Sequence, residues 1–259
     1  MITTQPGADQ HRIGPAPYVD SPALCAGDHG LTAWRHSREA LARISSLEFL
    51  AELAAGTLPA ETFVHYLLQD SAYLAGYGQA MTLLAARAPS AAHRRFWARA
   101  TSDTIAEEQA MQAELMSSTE FSALASEMAD EDGAPRPSPT TQGYTSWLVA
   151  TAAVDDHAVA VAAVLPCFWV YAEVGRHLVE DIGEAMAHHP YRSWVQVYSD
   201  PEFDQAVEEA IGIFEQLYEG ADGALRARML AAFEQGCVYE HRFWAAAHVR
   251  ESWRTAPVG

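Results

Sequence analysis

Apolar residues recur at spacings of three and four through six long segments: Leu31 to Leu53, Ala60 to Arg87, Ala91 to Met116, Asp156 to Asp181, Glu202 to Tyr218 and Gly223 to Val249. This is the period of helices with one buried face, and no segment shows the period-two alternation of a half-buried strand. Shorter helices are predicted near Gln142 to Ala153 and Pro190 to Val197. The breaks fall at Gly56 with Pro59, Pro89 with Ser90, Pro190 after a His pair, and Gly220 with Gly223, where glycine frees the backbone and proline removes a helix donor. The longest irregular stretch, Ala129 to Gln142, carries Gly133, Pro135, Pro137 and Pro139. Neither flank has the composition of an independent unit, so this stretch reads as a crossover inside one domain. The expected architecture is all-α, a single-domain multi-helix bundle of about seven to nine helices. Residues 1–28 are expected to form a disordered or extended arm, 29–254 the helical domain and 255–259 a tail.

A chain of 259 residues that is 49% hydrophobic can bury a sizeable core. Its charge narrows the partners: 16 Lys and Arg against 34 Asp and Glu give a net −18, which repels nucleic-acid phosphates and anionic membrane surfaces. The one basic run, Arg87 to Arg99 with His93, Arg94 and Arg95, is short and reads as a solvated turn between helices. No stretch offers the roughly twenty uninterrupted apolar residues of a membrane span. The first 28 residues hold no apolar run of signal-peptide character. Three cysteines, Cys25, Cys167 and Cys237, leave one unpaired in any disulfide scheme, so a reducing cytoplasm is the expected compartment.

Three side chains stand out chemically. Cys167 follows Pro166 in the run Leu165 to Glu173. A thiol just after a proline is expected in a first helical turn, where free N–H groups and the helix dipole favour the thiolate. The competing reading is a small buried hydrophobe, the usual fate of a free cysteine. Asp70 lies within a stripe of Tyr66, Tyr73 and Tyr77 at helical offsets of zero, four, seven and eleven. Core packing gives no reason for a carboxylate there, so it needs either a structural arginine or a polar ligand. Glu240 sits likewise among Phe233, Gly236, Cys237, Phe243 and Trp244, where burial raises a carboxyl pKa toward the range of proton transfer unless Arg242 or another helix supplies an ion pair.

Four separated blocks then resemble the TenA family, the thiaminase II or aminopyrimidine aminohydrolase proteins. They are Gly56 to Pro59 with Phe63 to Leu74; Arg136 to Ser146; Leu165 to Gly175 with Trp194 to Tyr198; and Tyr239 to Trp244. The resemblance implies a haem-oxygenase-like bundle. It also implies a hydrolase that removes the methylene substituent of a 4-amino-2-methylpyrimidine, an amine or the thiazole of thiamin, and releases 4-amino-5-hydroxymethyl-2-methylpyrimidine. On that pattern Cys167 is the nucleophile and Glu240 the acid/base group. Asp70 binds and polarises the pyrimidine, Tyr144 and Tyr198 supply hydrogen bonds, and Tyr73 and Phe243 wall the ring. No metal or organic cofactor is required, and a homotetramer is implied. The chain departs from the family where Gln112 stands four residues after Glu108 in place of a histidine. Two other readings compete: a pyrimidine-binding protein without turnover, and a metal oxidase of the same fold. The oxidase would use pairs such as Glu173 with His177 or Glu184 with His188, or a haem on His36.

Overall fold

A computed structural model describes residues 16–24, 27–128, 136–197 and 201–253, with the backbone but not the side chains of 107, 108, 110–112 and 114–117. Among these residues there are eleven α-helices and no strand. The segment predicted as one helix from Leu31 is three: α1 (Asp28–His36), α2 (Arg38–Ser45) and α3 (Glu48–Ala55). Ser37 and Ser46 leave helical backbone values only slightly, at φ −92°, ψ 10° and φ −103°, ψ 6°, so the apolar rhythm runs across both breaks. Trp34, Leu41, Ile44, Phe49 and Leu53 all stay buried. Gly56 then stops α3 at φ +68°, a left-handed value suited to a residue without Cβ.

The next helix, α4 (Ala60–Arg87), has the predicted bounds, and α5 (Ala91–Ser117) starts where Ser90 accepts a hydrogen bond from His93 N at 3.1 Å. A short α6 (Thr119–Met128), which apolar periodicity did not predict, precedes the crossover. Helix α7 (Pro139–Val154) begins with a proline at its first position and with Ser138 Oγ accepting from Thr141 N. Then come α8 (His157–Ile182), a 3-10 turn (Gly183–His188), α9 (Arg192–Val197), α10 (Pro201–Glu219) and α11 (Gly223–His248), the last capped by Asp222, which accepts from Leu225 N at 2.8 Å.

Helix α8 is the axis of the bundle, with α4, α7, α10 and α11 packed around it. By length and composition it could cross a membrane, contrary to the sequence expectation, but 94% of its apolar window is buried inside the protein. Two close crossings fix the geometry. A Cβ on Gly236 of α11 would stand 2.6 Å from Pro166 Cγ of α8, and one on Gly76 of α4 would stand 2.6 Å from Thr145 Cβ of α7. Glycine at each point lets the two backbones approach as no other residue would.

Two expectations are corrected here. Pro166 lies inside α8, nine residues beyond its first residue, so Cys167 is not in a first turn and the helix dipole cannot favour its thiolate. The proline is tolerated because Gly236 leaves room for its ring, and because the surrounding helices hold α8 in place. The predicted arm is also ordered in residues 16–24. Pro17–Val19 form a 3-10 turn, Ala16, Tyr18, Val19 and Leu24 are buried, and Trp34 Nε1 donates to Tyr18 O at 2.8 Å. Residues 1–15 and the tail from 254 lie outside the described residues.

Candidate active site

The two close crossings bring together side chains from four helices. Every residue of α8 from Ala158 to Gly175 is buried except Cys167, which is half-buried. The thiol interacts with Tyr73 and Tyr77 of α4 and Tyr144 of α7. Tyr144 Oη donates to Glu240 Oε1 at 2.6 Å, which ties α7 to α11. Tyr77 Oη donates to Val164 O at 2.9 Å, tying α4 to α8 one turn before the cysteine. The Tyr73 hydroxyl is buried beside that of Tyr144, with no hydrogen bond of good geometry among the described residues. Burial, with the neighbouring thiol, phenols and carboxyl, holds Tyr73, Tyr77 and Tyr144 well above the ordinary tyrosine range.

The carboxylates face the same space. Asp70 is 4% exposed and accepts from Tyr66 Oη at 3.3 Å, and that hydroxyl lies 3.4 Å from Tyr171 Oη. Glu240, 1% exposed, is pushed up to about 8, first by burial and then by the charge of Asp70, with the Tyr144 hydrogen bond acting in the opposite direction. The predicted alternative for Glu240, an ion pair with Arg242, is not found among the described residues, and Arg242 is exposed. Aromatic rings enclose the polar groups. Phe243 lies 5.4 Å from Tyr73 and 6.0 Å from Tyr66 between ring centroids, Tyr144 stacks on Tyr239 at 4.7 Å, and Tyr171 lies 4.7 Å from Trp244.

Six of the seven predicted residues, Asp70, Tyr73, Tyr144, Cys167, Glu240 and Phe243, are thereby linked through contacts in one region. The seventh, Tyr198, lies outside the described residues, as do the side chains of Glu108 and Gln112. Sequence reasoning assigned no role to Tyr66, Tyr77 or Tyr171. Tyr66 and Tyr77 stood in the same stripe as Asp70, and Tyr171 is four residues after Cys167 and so on its helix face. Gln69, beside Asp70, was also passed over. It accepts from Ser138 N and Thr141 Oγ1, both at 2.8 Å, and donates to Arg136 O at 3.1 Å, which fastens the start of α7 to α4.

Three of the residues weighed for a metal or haem have other partners. Glu173 accepts from Ala23 N and Leu24 N at 2.9 and 2.8 Å, His177 pairs with Asp181 at 3.4 Å, and His36 pairs with Glu234 at 3.5 Å. Glu184 and His188 lie on the 3-10 turn. No group of three or more His, Cys, Asp or Glu is placed to hold a metal among the described residues.

A family model described as TENA/THI-4/PQQC matches residues 35–251. The chain belongs to this family. It is similar to the aminopyrimidine aminohydrolase of Bacillus subtilis strain 168, with 33% identity over 211 residues, covering 81% of this chain and 85% of that protein. It is also similar to the thiamine biosynthesis multifunctional protein ThiED of Corynebacterium glutamicum, with 33% identity over 239 residues and 92% of this chain covered; the chain spans only 29% of that relative's length. Among solved structures, a TenA homologue from Pyrococcus furiosus superimposes with a TM-score of 0.74 at 20% identity, covering 85% of this chain and all of that one. The fold is of the haem-oxygenase-like class.

Proposed function

We propose that this TENA/THI-4/PQQC family member hydrolyses 4-amino-2-methylpyrimidines at their methylene substituent, as an aminopyrimidine aminohydrolase or thiaminase II, with Cys167 as the nucleophile. The observation that carries the reading is the half-buried thiol, set in an otherwise buried stretch of α8 beside three tyrosines and linked through Tyr144 to Glu240.

The residues suit the steps of such a reaction. The flat ring stacks among Tyr73, Phe243 and Tyr66, and its polar edge meets Asp70, whose pairing with the ring nitrogens makes the ring an electron sink. The thiolate of Cys167 then adds to a ring carbon, and the electron pair moves onto the nitrogen paired with Asp70. At neutral pH Glu240, raised to about 8, holds a proton and can give it to a departing amine, whereas the cationic thiazolium of thiamin takes the electron pair of the broken bond and leaves as neutral thiazole without a proton. As a carboxylate it next takes a proton from the water that adds to the methylene carbon, and the thiolate leaves. Tyr144 holds Glu240 in place for both steps. Tyr171, and Tyr198 by family resemblance, bind the substrate edge. A reducing cytoplasm suits a free catalytic thiol, and a homotetramer is carried over from the resemblance.

The test is chromatographic detection of 4-amino-5-hydroxymethyl-2-methylpyrimidine from thiamin and from the 5-aminomethyl pyrimidine, with kcat/KM compared for the two. The wild type is expected to turn over at least one, and Cys167→Ala to bind product but release none. Full turnover by that variant removes the nucleophile assignment. Absence of product from the wild type with both substrates leaves the noncatalytic binding reading.

A further inference from the structure

Beyond α11 the chain turns back on itself. Val249 leaves the helix at φ −87°, ψ 3°, and Arg250 takes φ +51°, a left-handed value that no other described residue with a Cβ adopts. Arg250 N donates to Ala247 O at 3.0 Å and Glu251 N to Ala246 O at 2.8 Å, the paired bonds of a Schellman ending, in which glycine usually holds the place of Arg250. A side chain persists in that conformation where its surroundings demand it. The demand is met by the next three residues: Glu251 Oε2 accepts from Thr140 N at 2.8 Å, and Trp253 Nε1 donates to Pro137 O at 2.9 Å. We propose that this segment is a strap and that Glu251 and Trp253 are positioning residues, which fix the start of α7 so that the Tyr144 hydroxyl meets Glu240. The inference rests on the reading of Glu240 as the acid/base group.

The start of α7 has little with which to anchor itself. Pro137 and Pro139 have no N–H to give. The donors of the first turn are all taken: Thr140 N by Glu251, Thr141 N by Ser138 Oγ at 3.2 Å, and Gln142 N by Ser138 O at 2.8 Å. A carboxylate suits this place, because a helix N-terminus favours negative charge and the bond from a backbone N–H is then charge-assisted. Gln69 of α4 holds Arg136 O, Ser138 N and Thr141 Oγ1. Residues 136–141 are thus gripped by two elements, α4 through Gln69 and α11 through its strap. Trp253 lies outside the residues that the family model matches, 35–251, so its grip is no part of the family pattern.

The consequence falls on Glu240. Tyr144 stands one turn after Thr140, and its hydroxyl donates to Glu240 of α11. Helices α7 and α11 are therefore tied twice, at Tyr144 with Glu240 and again where the strap meets Thr140 and Pro137. One tie would leave α7 free to turn about it; two fix its rotation and its height. The rings of Tyr144 and Trp147 against Tyr239 fill the space between the helices. Hydrogen bonds set the register, since they weaken steeply when misaligned. Burial raises Glu240, the Tyr144 hydrogen bond lowers it, and the charge of Asp70 from α4 raises it again. Loosening the strap should weaken the one influence that lowers it.

The test uses point variants of the full chain. Glu251→Ala is expected to lower kcat about tenfold with KM within about twofold, because the proton donor is misplaced while the ring site is kept. Glu251→Gln still offers Thr140 N an oxygen and should recover most of the loss. A second measurement needs no turnover: urea unfolding from pH 5 to 10, with each protein compared at every pH with its own Glu240→Gln version. In the wild type that difference should level off near pH 8. In Glu251→Ala it should level off about 0.5–1 pH unit higher, the worth of a weakened hydrogen bond. Where Glu251→Ala folds poorly, Trp253→Phe carries the test with the same direction of shift, since Trp253 is half-exposed and loses only its N–H. An unmoved levelling point in both variants overturns the proposal, because a strap that only packs lowers stability equally at every pH. If the wild type releases no product, the proposed reaction fails, yet the levelling point still reports whether the strap sets the bond between Tyr144 and Glu240.

Discussion

Glu240 shows how one buried residue couples chemistry to stability. Its pKa is raised from 4.5 to about 8 by burial and by Asp70, so between those values the unfolded chain has lost a proton that the folded chain keeps. Folding stability must therefore fall as pH rises through this window, by about 1.4 kcal/mol for each pH step of one and on the order of 5 kcal/mol in all. Glu240→Gln removes the titration. Its thermal midpoint should lie near that of the wild type at pH 5 and gain on it steadily up to pH 8.5, while turnover is lost at every pH. A constant difference between the two proteins across that range would mean that Glu240 titrates normally. Asp70→Asn should behave differently, weakening pyrimidine binding and turnover together, because the role proposed for Asp70 is toward the ring rather than the leaving group. Equal, large binding losses in both variants would show that the roles are wrongly divided.

At the scale of elements, the site depends on how closely α8 approaches α11. Gly236→Ala puts a Cβ at 2.6 Å from Pro166 Cγ and 3.1 Å from Ala163 O, and the second of these is backbone that cannot swing away. The variant is expected to lose about 1–3 kcal/mol, as overpacked cores do, and about tenfold or more in kcat/KM, because α11 carries Glu240 one turn further along. Wild-type kcat/KM in this variant would show that the crossing does not set the catalytic distances.

The same elements show what the sequence made legible. Helix α4 could be bounded because prolines and glycine punctuate both its ends, and its aromatic stripe marked Asp70 as misplaced in a core. Glu240 was found by the same logic. The breaks at Ser37 and Ser46 were hidden because small departures from helical dihedrals leave the apolar period intact. Pro166 was misread because proline usually opens a helix, and its tolerance depends on Gly236, seventy residues later in the chain. Tyr77, Tyr171 and Gln69 were given no role for a related reason. An aromatic or amide within an apolar stripe looks like core until the helix that brings its partner is in place.

For the whole molecule, residues 16–24 and 27–34 pack on one side of the bundle, away from the side that holds Cys167. Glu173, 2% exposed, receives Ala23 N, Leu24 N and, at 3.3 Å, Trp169 Nε1. Glu215 accepts from Gly30 N at 2.6 Å in the first turn of α1. Beside Glu173 lies a surface cleft of about 360 Å³, lined also by Pro17, Tyr18, Arg176, His177 and Asp204 among others. Six residues separate Cys167 from Glu173, which places their side chains about 120° apart around α8. Stability and catalysis should therefore separate. Glu173→Ala strands two backbone donors and an indole in a buried setting, at a cost of about 3 kcal/mol and a fall of roughly 6–12 °C in thermal midpoint. Protease cleavage between residues 16 and 27 should accelerate as this segment comes loose. At temperatures where the variant is fully folded, kcat/KM is expected to stay within about twofold of wild type, because the thiol, its tyrosines and Glu240 are held from the other faces of α8. Loss of turnover without loss of thermal midpoint would reverse this assignment and make Glu173 part of the site.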